Sequence, residues 1–135
     1  MAKDLYHDAV KTALIKDGWT IIEEGVNLQP DDNQSYFIDI MAERYLFARK
    51  KKEWIIVEVK TFGGKSDTYQ LHSAIGQYIT YHTALEYMAL DITLYLAVPD
   101  IVYNGLLQSP FIQYLLNKYE LLLMPFDPET KNLVK

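Results

Sequence analysis

The hexapeptide Ile55-Ile56-Val57-Glu58-Val59-Lys60 constrains the fold more than any other stretch of this chain. Neighbouring side chains of a strand project to opposite faces, so an unbroken apolar run presents apolar groups on both. Such a strand belongs in the interior of a sheet that is covered on two sides. The same alternation sets Glu58 and Lys60 on one face and Val57 and Val59 on the other. Ionised groups there are costly unless they have partners or a task. Asp39, in the earlier short strand Tyr36-Phe37-Ile38-Asp39-Ile40, can bring a second carboxylate to them. Two carboxylates and a lysine make a site able to hold a divalent cation beside a phosphate.

The rest of the chain supplies a setting for that strand. Leu5, Ala9, Val10, Ala13 and Leu14 recur at helical spacing and predict a helix over residues 3–16, with Gly18 as its stop. A first strand follows over 19–22. Residues 24–35 are rich in Asp, Asn, Gln, Gly and Pro and read as a loop. A strand over 36–41, extending through 45–48, then leads to a turn at 50–52 and the strand 54–60. A second helix begins after Gly63-Gly64-Lys65-Ser66-Asp67, capped by Ser66 or Asp67, with a core face of Leu71, Ala74, Ile75, Tyr78, Ile79 and Leu85. A strand over 93–98 halts at Pro99, Pro110 opens a helix to about 119, and a strand over 121–126 precedes a turn at Asp127-Pro128 and a polar tail. The order predicts one α/β domain over residues 1–135, a mixed sheet with helices on both sides.

A length of 135 residues is enough for one domain with a real core. Apolar stretches are broken by charge well short of a membrane span, and the first residues carry no secretory pattern, so the expected location is the cytoplasm, with no membrane partner. The absence of Cys excludes disulfides and thiolate metal sites. A net charge of −5 argues against nucleic-acid binding by the whole surface, although Arg44, Arg49, Lys50, Lys51 and Lys52 form a local basic stretch. That run reads first as a solvated turn and second as a phosphate contact.

Phosphodiester cleavage requires a polarised phosphoryl group, an attacking water and help for the leaving oxygen. One or two Mg²⁺ (or Mn²⁺) ions supply these when carboxylates leave coordination positions open. Asp39 and Glu58 suit that role, the Val59 carbonyl offers another ligand, and Lys60 can orient the water or offset charge on the phosphate. Taken alone, Glu58-x-Lys60 reads as an ordinary ion pair. Glu43 is an alternative first carboxylate.

Asp39 followed by Glu58-Val59-Lys60 resembles the PD-(D/E)XK nuclease pattern, and Gln77-Tyr78-Ile79-Thr80-Tyr81 is similar to the Gln-x-x-x-Tyr element of its RecB-type members. Ile38 stands where the pattern has proline. Over essentially the whole chain, Ala9-Val10-Lys11, Ala13 to Trp19, Val57 to Phe62, Ala74 to Tyr78 and Leu94 to Pro99 resemble the XisH family, the fdxN element excision controlling factors. The resemblance implies a restriction-endonuclease-like fold and a part in programmed removal of a DNA element during heterocyst development in cyanobacteria. It also implies DNA, a small XisI-like protein and a separate site-specific recombinase as partners, with a homo-oligomer left open. On this basis Asp39, Glu58, Lys60 and Gln77 are the expected catalytic residues, Asp39, Glu58 and Val59 the metal ligands, and His7, Glu43 and Tyr81 further substrate contacts. His7 also reads as a half-buried, hydrogen-bonded histidine. The alternative function is a non-catalytic module that binds a partner and directs the recombinase.

Overall fold

The computed structural model describes residues 2–63 and 66–135, with side chains from residue 4 onward. Helix α1 (Ala2–Lys16) leads into strands β1 (Thr20–Asp31), β2 (Gln34–Leu46) and β3 (Lys51–Val59). Helix α2 (Asp67–Tyr87) crosses to β4 (Thr93–Pro99), and α3 (Asp100–Asn104), a 3₁₀ turn (Leu106–Gln108) and α4 (Pro110–Lys118) cross to β5 (Leu123–Asp127) and β6 (Asn132–Leu133). Among the described residues the six strands form one sheet in the order β1-β2-β3-β4-β5-β6. β1, β2 and β3 pair antiparallel, β3-β4-β5 are parallel, and β6 returns antiparallel.

β3 is an interior strand, as its composition requires. Ile56 belongs to the core under α2 with Leu71, Ala74, Tyr78, Tyr81 and Leu85. Ile55, Val57 and Val59 belong to the core under α1 with Ala9, Val10, Leu14 and Phe126. The mixed sheet flanked by helices on both faces therefore stands. Phe126 is fully buried and meets Tyr6 edge-on at 5.9 Å. Phe126→Ala is expected to lower the unfolding free energy by about 3–5 kcal/mol, read from urea denaturation.

Several elements differ from their reading in the sequence. Residues 24–35 are not a loop, because β1 runs to Asp31 and β2 starts at Gln34. Their polar residues are the solvent side of an amphipathic hairpin: Val26 and Leu28 are buried while Asn27 and Gln29 are exposed. Pro30 is tolerated since β1 is an edge strand. On α2, Ile79 is 40% exposed and Tyr81, at 9%, takes its place in the core. The N-cap is Ser66, whose hydroxyl accepts from the Tyr69 amide at 3.2 Å. Gly64 and Lys65, read as part of the turn into α2, lie outside the described residues. The turn read at 50–52 falls at residues 47–50, with Lys50 at φ 52°, and β3 already starts at Lys51. Asp100–Asn104 forms an extra helical turn, and the polar tail returns as β6.

Candidate functional site

The site is built where β2 and β3 run side by side and α2 crosses above them. Ile40 pairs with Val57, so one step further along the register sets Asp39 opposite Glu58. The β2–β3 hairpin thus brings Asp39 and Glu58 side by side. An Asp39 carboxylate oxygen accepts the Val59 amide at 2.7 Å. This bond fixes one edge of the carboxylate and leaves the other oxygen directed elsewhere.

A change of face in both hairpin strands places Asp39 there. Glu24 bonds to His7 and Lys11 of α1, and its pair partner Ile40 packs in the core under α1. Two residues away, the pair Val26–Ile38 packs in the opposite core, under α2. The strands change faces between these pairs, where Gly25 stands opposite Asp39. Gly25 has φ +66° with nothing within 4 Å of where a Cβ would stand, so the requirement is conformational rather than steric. Gly25→Val is expected to destabilise the fold by about 1–2 kcal/mol and Gly25→Asn by less, since Asn tolerates this region. Thermal melting of the two variants checks the order.

Glu58 is 9% exposed, and its Oε1 has no hydrogen-bond partner. Its Oε2 meets Lys60 Nζ at 3.3 Å. Burial pushes the Glu58 carboxyl up to about 7, the neighbouring Asp39 charge adds to the rise, and Lys60 opposes it. The Lys60 ammonium also donates to Gln77 Oε1 on α2. One turn along that helix, Tyr81 packs on Tyr36 at 5.5 Å between centroids. Its hydroxyl is raised above the ordinary tyrosine value by burial and by the charges of Glu58 and Asp39. Asp39, Glu58, Lys60, Gln77 and Tyr81 are therefore gathered in one place.

The other residues singled out in the sequence are placed differently. Glu43 lies four residues along β2 from Asp39, roughly 14 Å at the usual strand rise, and bridges to Lys52 at 3.3 Å. His7 lines a cavity of about 300 Å³ with Asp4, Gly25, Asp39 and Val59. Its Nε2 is engaged with Glu24 Oε1 at 2.8 Å. Val59 contributes its amide to Asp39. Gly25 and Glu24 read in the sequence only as part of the 24–35 loop, although a lone glycine inside an alternating polar and apolar stretch is a signal for a strand irregularity.

Does this donor set suit a hard cation? Among the described residues no group of three or more His, Asp or Glu side chains could hold a metal by themselves. Mg²⁺ ordinarily takes only one or two protein carboxylates and keeps water or substrate oxygens for the rest. No donor reaches Glu58 Oε1, and the Asp39 carboxylate lies beside Glu58, so the pair could offer a cation two carboxylates. The residues fit.

Comparison with known proteins bears on the same chain. No curated protein matches it. A solved fdxN element excision controlling factor protein from Anabaena variabilis is 32% identical, with a TM-score of 0.86, over 98% of this chain and 97% of its own. A solved XisH family protein from Nostoc punctiforme PCC 73102 is likewise 32% identical with a TM-score of 0.86, over 98% of both chains. A family model described as XisH protein matches residues 1–134. With fold, length and sequence all in agreement from end to end, the chain belongs to the XisH family.

Proposed function

We propose that this chain carries a PD-(D/E)XK-type nuclease centre that acts on DNA phosphodiesters during excision of a genomic element. Support for the activity comes chiefly from one observation: a buried glutamate oxygen without a partner, set beside a second carboxylate and a lysine. Support for the biological setting comes from the Anabaena variabilis protein, which is described as an fdxN element excision controlling factor.

Asp39 and Glu58 would hold the ion, with the Val59 carbonyl as a further oxygen. Bound there, Mg²⁺ or Mn²⁺ would polarise a phosphoryl oxygen and offset its charge. Asp39 is held in register by the Val59 amide, so its other oxygen keeps a fixed direction. Lys60 stands on the same strand face as Glu58, where its ammonium can orient a water and balance charge on the phosphate. Gln77 accepts from Lys60 and holds the ammonium toward the carboxylates, which makes it a positioning residue. Tyr81 is buried near Glu58 and Asp39, where it would limit the water around the acid. The test is cleavage of plasmid and branched DNA with Mg²⁺ by the parent, Glu58→Gln and Lys60→Ala proteins.

A second reading has its own observation. Ile101, Phe111 and Tyr114, on α3 and α4, are 77%, 71% and 68% exposed, a surface suited to a protein partner. Under this reading the chain binds a small XisI-like protein and directs a separate recombinase without cutting DNA. Excision in cells would then survive Glu58→Gln and fail with charged substitutions at Phe111 and Tyr114.

A further inference from the structure

The β2–β3 turn gathers two features that the carboxylate site does not use. Four cations, Arg49 to Lys52, are consecutive in a chain whose net charge is −5. Lys52 is bridged to Glu43 at 3.3 Å. Among the described residues, Arg49, Lys50 and Lys51 have no carboxylate within ion-pair distance. Beside them Phe47 is 83% exposed and Tyr45 46% exposed, the two rings meeting edge-on at 4.8 Å. The edge-on contact steadies the Phe47 ring while leaving most of its surface in water. A steadied, exposed aromatic next to unbridged cations matches the chemistry of an unpaired nucleotide, whose base offers a flat apolar face and whose phosphate offers a negative charge.

We propose that this hairpin tip is a contact site for single-stranded or splayed DNA, with Phe47 stacking on a base and Arg49, Lys50 and Lys51 meeting phosphates. The choice of DNA rests on the nuclease reading above. Tyr45 pairs with Lys52, and Lys52 shares its strand face with Glu58 and Lys60 by alternation. From Lys51 to Glu58 is seven residues along β3, roughly 23 Å at about 3.3 Å per residue, so the tip and the carboxylates stand at opposite ends of that strand. The tip would hold the nucleic-acid strand while the acids act at a distance from it.

The experiment measures binding by fluorescence anisotropy in EDTA, with labelled oligothymidylate and with its duplex, for the parent, Lys50→Glu/Lys51→Glu, Phe47→Ala, Phe47→Tyr and Glu58→Gln. The charge-reversed protein should bind oligothymidylate about tenfold or more weakly, with a salt slope shallower by about 1.4 for two lost contacts. Phe47→Ala should weaken single-strand binding by roughly threefold to tenfold, with duplex binding little changed and Phe47→Tyr restored to the parent level. Circular dichroism confirms that these surface variants fold. Parent-like binding by both tip variants would overturn the proposal. So would equal effects of Phe47→Ala on duplex and single strand, or loss in the tip variants of binding to phosphatidylserine vesicles or of self-association instead. If Glu58→Gln binds like the parent and no protein in the set cuts DNA, the tip proposal stands and the nuclease reading falls.

Discussion

Glu58→Gln and Lys60→Ala should each lower Mg²⁺-dependent DNA cleavage by about 10²-fold or more, the range seen when a positioned acid, base or charge-stabilising group is removed. Gln replaces the Glu58 carboxylate with a neutral group of the same shape, so the core around it is kept and the cation loses an anionic ligand. Lys60→Ala removes the ammonium that bridges Glu58 and Gln77. Gln77→Ala leaves that ammonium present but unsteadied, and a loss of about tenfold is expected, in keeping with a group that orients another. The order of the three losses carries the information. Equal cutting by the parent and both site variants would remove these residues from any phosphoryl-transfer role and leave the partner-binding reading.

The second large effect is on stability. Burial and the Asp39 charge raise the Glu58 carboxyl from its ordinary 4.5 to about 7 in the folded chain. Between those values the folded protein binds a proton that the unfolded chain has released. Stability therefore falls as pH rises through this window, the reverse of the behaviour of a carboxylate held by a cation partner. A shift of that size corresponds to roughly 3 kcal/mol lost between pH 4.5 and pH 7 in EDTA. Excess Mg²⁺ or Mn²⁺ should restore much of it at neutral pH, because an ion that binds only the folded form stabilises that form. Glu58→Gln should be insensitive both to this pH window and to the metal. Urea midpoints across the window, with and without Mn²⁺, test this. A flat parent profile in EDTA, or equal metal effects on parent and variant, would show that the buried oxygen is not the seat of ion binding.

How far these features were legible in the chain follows from what each depends on. β3 was legible because burial on both faces leaves a run that few other structures accept. The opening of α2 was legible because Ser66 supplies the oxygen that an unpaired amide needs. The hairpin partner of β2 was not, since half of β1 faces water and its alternation was masked by Gly25, Pro30 and the Asp31–Asn33 turn. Ile79 and Tyr81 were exchanged because apolarity alone ranks isoleucine as the core residue, whereas the large tyrosine ring better fills the space beside Tyr36. α3 and β6 are too short to carry a period.

Within the site, Asp39, Glu58, Lys60 and Gln77 came together from residues read on strand and helix spacing. Those spacings survive any local distortion that keeps the register. Glu43 and His7 were candidates by type, and their actual neighbours, Lys52 and Glu24, are matters of side-chain pairing that no linear spacing reports. Gly25 shows the complementary case. Its contribution is a backbone angle, and it has no chemistry of its own to notice.

The two borders of the sheet bear on how the protein keeps to itself at high concentration. On one side lies β1, interrupted by an irregular register at Ile21–Glu23, a left-handed Gly25 and a proline that has no amide to offer. On the other lies β6, two residues long. Neither rim offers the long, straight row of free backbone groups on which a foreign strand could grow into a fibril. Companions of this molecule must accordingly recognise its side chains, because its backbone gives them almost nothing to extend.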